Sequence, residues 1–307
     1  MASFQQFIYT ENLPESSQDN LPACFIVSNA TRQYEILLLR LLSGTLTFTN
    51  TISNVEINQR NNFSEIDFIV NNNISDTTIK NIFHNKISDF SKAQHYYENC
   101  HTYGNTELFK NLLAELTNFF YQQEKNSHTL AFLHLYRSVE LVSYCFPLFY
   151  TSKSKNYEKT YIKLKDFFTK PKGELEFFKE FINNHLFKDE LILDIYLTIE
   201  INAPNNNAHL KKMYYDAIIK LCDNNRSIPV LSTSPNESIN INRKGLTSLI
   251  YDLRNRYFHF LTGSYNDNFS SIELPEVDSF YKNVNDLIVN WIAQIYFELL
   301  FKAIEPN

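Results

Sequence analysis

Only five glycines occur in this chain of 307 residues, and that scarcity limits the folds open to it more than any other feature. Glycine takes positive φ without steric penalty. Glycine-rich phosphate loops, dinucleotide-binding turns and hairpin-dense β folds all draw on that freedom, so each is disfavoured. A mainly helical protein manages with few glycines. Aromatic residues are abundant instead, 26 Phe and 19 Tyr, and hydrophobic residues make up 44% of the chain. That is enough apolar material for a substantial core, in one large domain or two smaller ones.

Hydrophobic periodicity divides the chain near residue 75. In TLTFTNTISNVEI, apolar and polar residues alternate through Leu46, Phe48 and Ile52, then Val55 and Ile57, the period of a half-buried strand. IDFIV at 66–70 is a second candidate strand, and TRQYEILLLRLL stays open between helix and strand. Residues 1–75 are therefore expected to form a small mixed α/β or β-containing region, its role unassigned. Over 76–307 the helical period takes over. Asp76 or Thr77 can cap a helix carrying Ile79, Ile82, Phe83, Ile87 and Phe90. TELFKNLLAELTNFFYQQE (106–124) and SHTLAFLHLYRSVELVSYCF (127–146) predict two antiparallel neighbours. Further helices are predicted near 158–168, 174–187, 189–201 and 208–222. The Asn-, Ser- and Pro-rich span 223–242 predicts a long loop. A helix over 244–261 and a last one from about 277 to 304 close the chain.

The formal net charge of −6, from 28 basic and 34 acidic residues, excludes a basic footprint over the whole surface, so nucleic acid would need a local patch. Cys24, Cys100, Cys145 and Cys222 lie far apart with no CxxC pair, against a disulfide scaffold or a zinc site and in keeping with a reducing cytosol. His84, His95, His101, His128, His185 and His209 show neither HxxxH nor HExxH spacing, so no metal and no cofactor are expected. The start, MASFQQFIYTENLPE, lacks a basic stretch followed by an apolar core. The apolar run LHLYRSVELVSYCFPLFY is broken by Arg137 and Glu140. A cytoplasmic protein without a membrane segment is expected.

One stretch, YDLRNRYFHFL at 251–261, carries the chemistry. On a helical wheel Leu246, Leu249, Ile250, Leu253, Tyr257, Phe260 and Leu261 share a stripe facing the core, while Asp252, Asn255, Arg256 and His259 lie opposite. Asn255 and His259 are one turn apart and adjacent. Arg254 lies about 140° from His259 around the axis, so a second helix or a second copy of the chain must bring the two together. An imidazole can move protons near neutral pH. A guanidinium stays charged and grips phosphate by two parallel hydrogen bonds.

This arrangement, Arg254-Asn255, three residues, then His259, on a late helix of a helical domain, resembles the shortest form of the HEPN superfamily signature. The helix YRSVEL, with Arg137 and Glu140, resembles the helix that precedes the signature in that family. The resemblance covers roughly 106–304 at most, with about 153–240 as a helical insertion. It implies a HEPN-like helical bundle and a metal-independent endoribonuclease, cleaving RNA at a composite homodimer site and leaving a 2′,3′-cyclic phosphate. Arg254 would clamp the phosphate, His259 would act as general acid/base, and Asn255 would orient the ring or touch the phosphate. Such proteins commonly act as toxins or in anti-phage defence, some beside an antitoxin or another defence partner. Arg243, Lys244 and Arg256 are candidates for the local positive patch, or else an ordinary solvated face. Arg137 and Glu140, on a largely apolar helix, are expected to be partnered: either as an i, i+3 ion pair holding two core helices in register, or as the border of the motif cleft. The competing functional reading is a catalytically silent helical module that binds a protein or nucleic-acid partner.

Overall fold

The computed structural model describes residues 5–28, 33–84, 86–100, 105–152, 158, 161–162, 165, 174–188, 191–258 and 268–305. Among these the protein is mainly α, with small antiparallel sheets.

The chain opens with strand β1 (Phe7–Glu11), a short turn of helix α1 (Glu15–Gln18) and helix α2 (Tyr34–Leu42). TRQYEILLLRLL thus resolves as a helix from Tyr34. From Glu35 to Leu42 every residue is buried, which is why the segment has no polar stripe to mark its period. Strands β2 (Leu46–Asn50) and β3 (Glu56–Gln59) complete a sheet of order β1–β2–β3. Phe48 lies opposite Tyr9 on one side and Ile57 on the other. At the turn from α2 into β2, Gly44 sits at φ +68°, and a Cβ there would lie 2.5 Å from the Arg60 carbonyl oxygen. This is one place where the fold needs a glycine.

Arg40, fully buried, holds this region together. Its Nη1 donates to Glu11 Oε2 (3.0 Å) and to the Phe25 carbonyl (2.8 Å), its Nη2 to Glu11 Oε1 and the Thr45 carbonyl, and its Nε to Thr45 Oγ1. A buried guanidinium is tolerable only when its donors are taken up in this way. The two-residue pair β4 (Asn61–Asn62) and β5 (Ile69–Val70) follows.

Next come α3 (Asp76–Phe83), α4 (Phe90–Asn99), α5 (Thr106–Glu124) and α6 (His128–Ser152). The single helix expected from 76 to 90 is two, because His84 leaves helical conformation and Asp89 caps a new start by accepting from the Ser91 amide. Helices α5 and α6 are antiparallel neighbours joined through Asn126 at φ +54°. Asn tolerates that conformation better than most residues.

Helix α7 (Glu174–Phe181) leads, through a turn at Leu191–Asp194, into strand β6 (Tyr196–Glu200). A helix over 189–201 is therefore wrong: Leu197 and Ile199 are buried while Tyr196 and Glu200 are exposed, a period of two that outweighs the apolar count. The expected helix at 158–168 lies largely outside the described residues. Helix α8 (Ala208–Asn224) follows, with Asn207 accepting from the His209 and Leu210 amides. The span read as a long loop forms a hairpin, β7 (Val230–Ser234) and β8 (Ser238–Asn242), giving a sheet of order β6–β8–β7. Its turn is built by Pro235 and by Asn236 at φ +62°, with the Glu237 amide donating to the Ser234 carbonyl.

Helices α9 (Leu246–Phe258) and α10 (Val277–Ile304) complete the chain. Helix α10 is long and apolar enough to cross a membrane, with mean hydropathy 1.5 over its most apolar window, yet 72% of that window is buried within the protein, as in a core helix. Its polar side chains bind the N-terminal region: Asn290 donates to the Glu65 carbonyl (3.0 Å), and Gln294 to those of Phe63 (2.7 Å) and Glu65 (2.9 Å).

Candidate functional site

Helix α9 is fed by β8 through a tight turn at Arg243–Gly245, where the Asn242 side chain accepts from the Lys244 amide (3.1 Å). A Cβ on Gly245 would meet the Ile228 Cα and the Ser227 carbonyl at 3.0 Å. The missing side chain lets the turn after α8 press against the start of α9. Leu246, Leu249, Ile250 and Leu253 are buried as the helical period requires. At the far end, Phe258 stacks on Phe132 of α6 (6.2 Å, 3° between planes), and Phe132 meets Tyr281 of α10 at 4.5 Å. Helices α6 and α10 thereby fix the last turn of α9.

The other face of α9 turns toward a cleft of about 650 Å³, within the range typical of small-ligand sites. From α9 come Thr247, Ser248, Tyr251, Asp252 and Arg254. Tyr136, Glu140 and Ser143 of α6 form the opposite wall. Glu176 and Lys179 of α7, with Asn225 and Ser227 of the turn after α8, complete the lining.

Two substructures stand out. In the first, the Arg254 guanidinium lies over the Tyr136 ring, 4.9 Å from its centroid, and Nη1 donates to Asn255 Oδ1 at 3.0 Å. No described carboxylate pairs with Arg254. The Tyr136 phenol is pushed up to about 12, mainly by burial and then by the neighbouring Glu140 carboxylate, with Arg254 pulling the other way. It stays a neutral donor. The second is a relay from α7 to α9. Lys179 Nζ donates to Ser227 Oγ (2.9 Å), the Ser227 amide donates to Asn225 Oδ1 (2.9 Å), and Asn225 Nδ2 donates to Asp252 Oδ2 (2.7 Å). Burial pushes the Asp252 carboxyl above its ordinary range, against the pull of Asn225, Arg256 and Lys179.

The residues singled out from the sequence have different fates. Arg254 and Asn255 are adjacent, half-buried and directly bonded. His259, with Phe260 and Leu261, lies outside the described residues. Lys244 is exposed, and Arg256 is half-buried near Asp252. Arg243 does not belong to a surface patch: it is 1% exposed and donates to the Ile66 carbonyl (2.9 Å) and Asn290 Oδ1 (3.5 Å). Its guanidinium ties the 63–67 segment to α10, and the turn before α9 points it inward. Arg137 and Glu140 are not partners of each other. Arg137, 58% exposed, pairs with Glu115 of α5 (2.8 Å), which also meets His134 Nδ1 (2.8 Å), so this side of α6 registers two helices. Glu140 lines the cleft. Tyr136, Lys179 and Asn225 escaped the sequence reading. Tyr136 stood four residues before Glu140 and carried a signal; Lys179 and Asn225 came from a span read as an insertion and carried none.

No protein-family model matches the chain, and comparison with curated proteins and with solved structures gives no match either.

Proposed function

We propose that this chain is a metal-independent endoribonuclease of the HEPN type, its helical body a HEPN-like bundle, acting as a homodimer. The supporting observation is the setting of Arg254: a guanidinium on the wall of a cleft, unpaired by any described carboxylate, held on an aromatic face and by Asn255, five positions before His259. A cation preorganised but not neutralised is what a phosphate clamp requires. Asn255 accepts from Arg254, so its assigned task is to aim the guanidinium. In this mechanism the imidazole of His259 takes the 2′-hydroxyl proton of the ribose, or returns one to the departing 5′-oxygen. Arg254 meets the charge that grows on the phosphoryl oxygens, and a 2′,3′-cyclic phosphate is left. The service as a toxin or anti-phage effector, with or without an antitoxin, rests on the family resemblance alone.

The cleft also holds Glu140, Glu176 and Asp252, each of which would repel a phosphate. The backbone therefore belongs beside Arg254. Those same carboxylates favour the second reading, a catalytically silent module binding a partner. The two separate on purified full-length protein incubated with RNA in a metal chelator. Cleavage leaving cyclic phosphate, abolished in Arg254→Ala and His259→Ala proteins that melt like wild type, supports the nuclease. Intact RNA with wild-type protein supports the silent module.

A further inference from the structure

We infer that the part of the cleft around Asp252 and Lys179 is a guanine-reading pocket, with the Asp252 carboxylate accepting hydrogen bonds from the base and Lys179 donating one. This rests on the nuclease reading only in supposing that the guanine belongs to RNA; the pocket itself is argued from its side chains.

Asp252 is a carboxylate inside a cleft, held from one side. Among the described residues Oδ2 takes the Asn225 amide (2.7 Å), whereas Oδ1 has no hydrogen-bond partner. An acceptor left open in a partly desolvated place calls for a donor. A phosphate offers none. Nucleobase edges do: cytosine and adenine present one amino group, while the Watson–Crick edge of guanine presents a ring N–H beside an amino group. Two parallel donors suit a carboxylate. Guanine also carries a carbonyl acceptor on that edge. Lys179 Nζ spends one donor on Ser227 Oγ (2.9 Å) and a second, longer contact on Glu176 Oε2 (3.5 Å), which leaves a third to offer. It lies near enough to Asp252 to influence it. Adenine would set a ring nitrogen lone pair against the carboxylate and is disfavoured.

The remaining wall fits the same ligand. Tyr251, 39% exposed and next to Asp252, offers a ring for stacking. Arg254 stands two residues further along α9, about 3 Å along the helix axis and on a different side of it, yet it lines the same cleft, so base-edge and phosphate groups reach that cleft from separate positions. The relay from Lys179 through Ser227 and Asn225 to Asp252 fixes the polar atoms before any ligand arrives. Preorganisation of that kind lowers the cost of binding.

The test is titration of full-length protein with guanosine, inosine and adenosine 3′-monophosphates, followed by calorimetry. Inosine differs from guanosine only in lacking the amino group, so the wild-type comparison needs no variant. Guanosine monophosphate should bind about tenfold tighter than inosine monophosphate and more tightly still than the adenosine form. Asp252→Asn should remove the guanosine preference while adenosine binding stays level. A single-guanosine oligoribonucleotide, against the same oligonucleotide with inosine, separates RNA from free nucleotide as the source: preference in both assigns RNA, and preference in the mononucleotide alone assigns a free guanine nucleotide and overturns the RNA part. Equal binding of the three mononucleotides, or no binding, overturns the pocket. A guanosine preference in protein that cleaves no RNA keeps the pocket and removes the nuclease.

Discussion

The guanidinium of Arg254 lies 4.9 Å from the centre of the Tyr136 ring, so α6 and α9 meet through a cation resting on an aromatic face. The ring is almost wholly buried and fixes the height of the guanidinium in the cleft. Tyr136→Phe keeps that face and removes only a phenol that stays protonated, so RNA cleavage should stay near wild type. Tyr136→Leu removes the face, and kcat/KM should fall about tenfold, the scale of a partly desolvated cation–π contact. Equal kinetics for the two variants would show that the ring does not position Arg254.

Arg243 and Lys244 are sequence neighbours with opposite environments, and their variants should differ in kind. Arg243→Ala should destabilise the protein by about 1–3 kcal/mol, since the Ile66 carbonyl and Asn290 lose a buried donor. The salt dependence of RNA binding should not change. Lys244→Ala should leave the urea midpoint in place and, if this exposed cation touches the RNA backbone, reduce the salt slope by about one.

Glu11→Ala leaves the Arg40 guanidinium buried without its carboxylate and should cost about 3–5 kcal/mol in urea denaturation. Burial alone would push the Glu11 carboxyl up, but Arg40 and the Val27 and Leu13 amides outweigh it and hold it below its ordinary 4.5. Because the folded value lies below the unfolded one, this stabilisation is complete above about pH 4.5 and is lost as pH falls through the folded value. Denaturation curves of wild type and Glu11→Gln should therefore converge in acid.

Asp286 of α10 has the opposite sign. Burial lifts its carboxyl above the ordinary 3.8, only partly offset by the Gln123 amide and Lys282. A raised folded value means that the ionised form costs stability once pH passes the unfolded value. Asp286→Asn keeps an oxygen for Gln123 and should melt higher than wild type at pH 7. The difference should shrink as pH is lowered toward 3.8. An unchanged difference across that range would contradict the assignment.

The helices that carry long apolar stripes were legible in the sequence: α5, α6, α9 and α10 lie close to where the 3.6-residue period puts them. Strand β6 was hidden because LILDIYLTIE is apolar enough to suit either period, and only partners contributed 40 residues later, Ile239 and Ile241, decide for a strand. The β7–β8 hairpin was hidden because its composition is that of a loop; β7 is exposed along its whole length and is held by pairing, not by an apolar face. At the site, Arg254 and Asn255 were legible as a motif. The cleft beside them was not, because Lys179, Asn225 and Tyr136 reach it from three other elements, and no local pattern records where a tertiary fold brings its walls together.

The most direct measurement is the fate of a defined RNA under purified full-length protein in chelator, with wild type, Arg254→Ala and His259→Ala compared at matched melting temperature. The account predicts 2′,3′-cyclic phosphate products from wild type and a loss of at least a hundredfold in each variant, on the scale of losing a general acid/base or a phosphate clamp. Cleavage by Arg254→Ala at the wild-type rate, or RNA left intact by wild type, would contradict it.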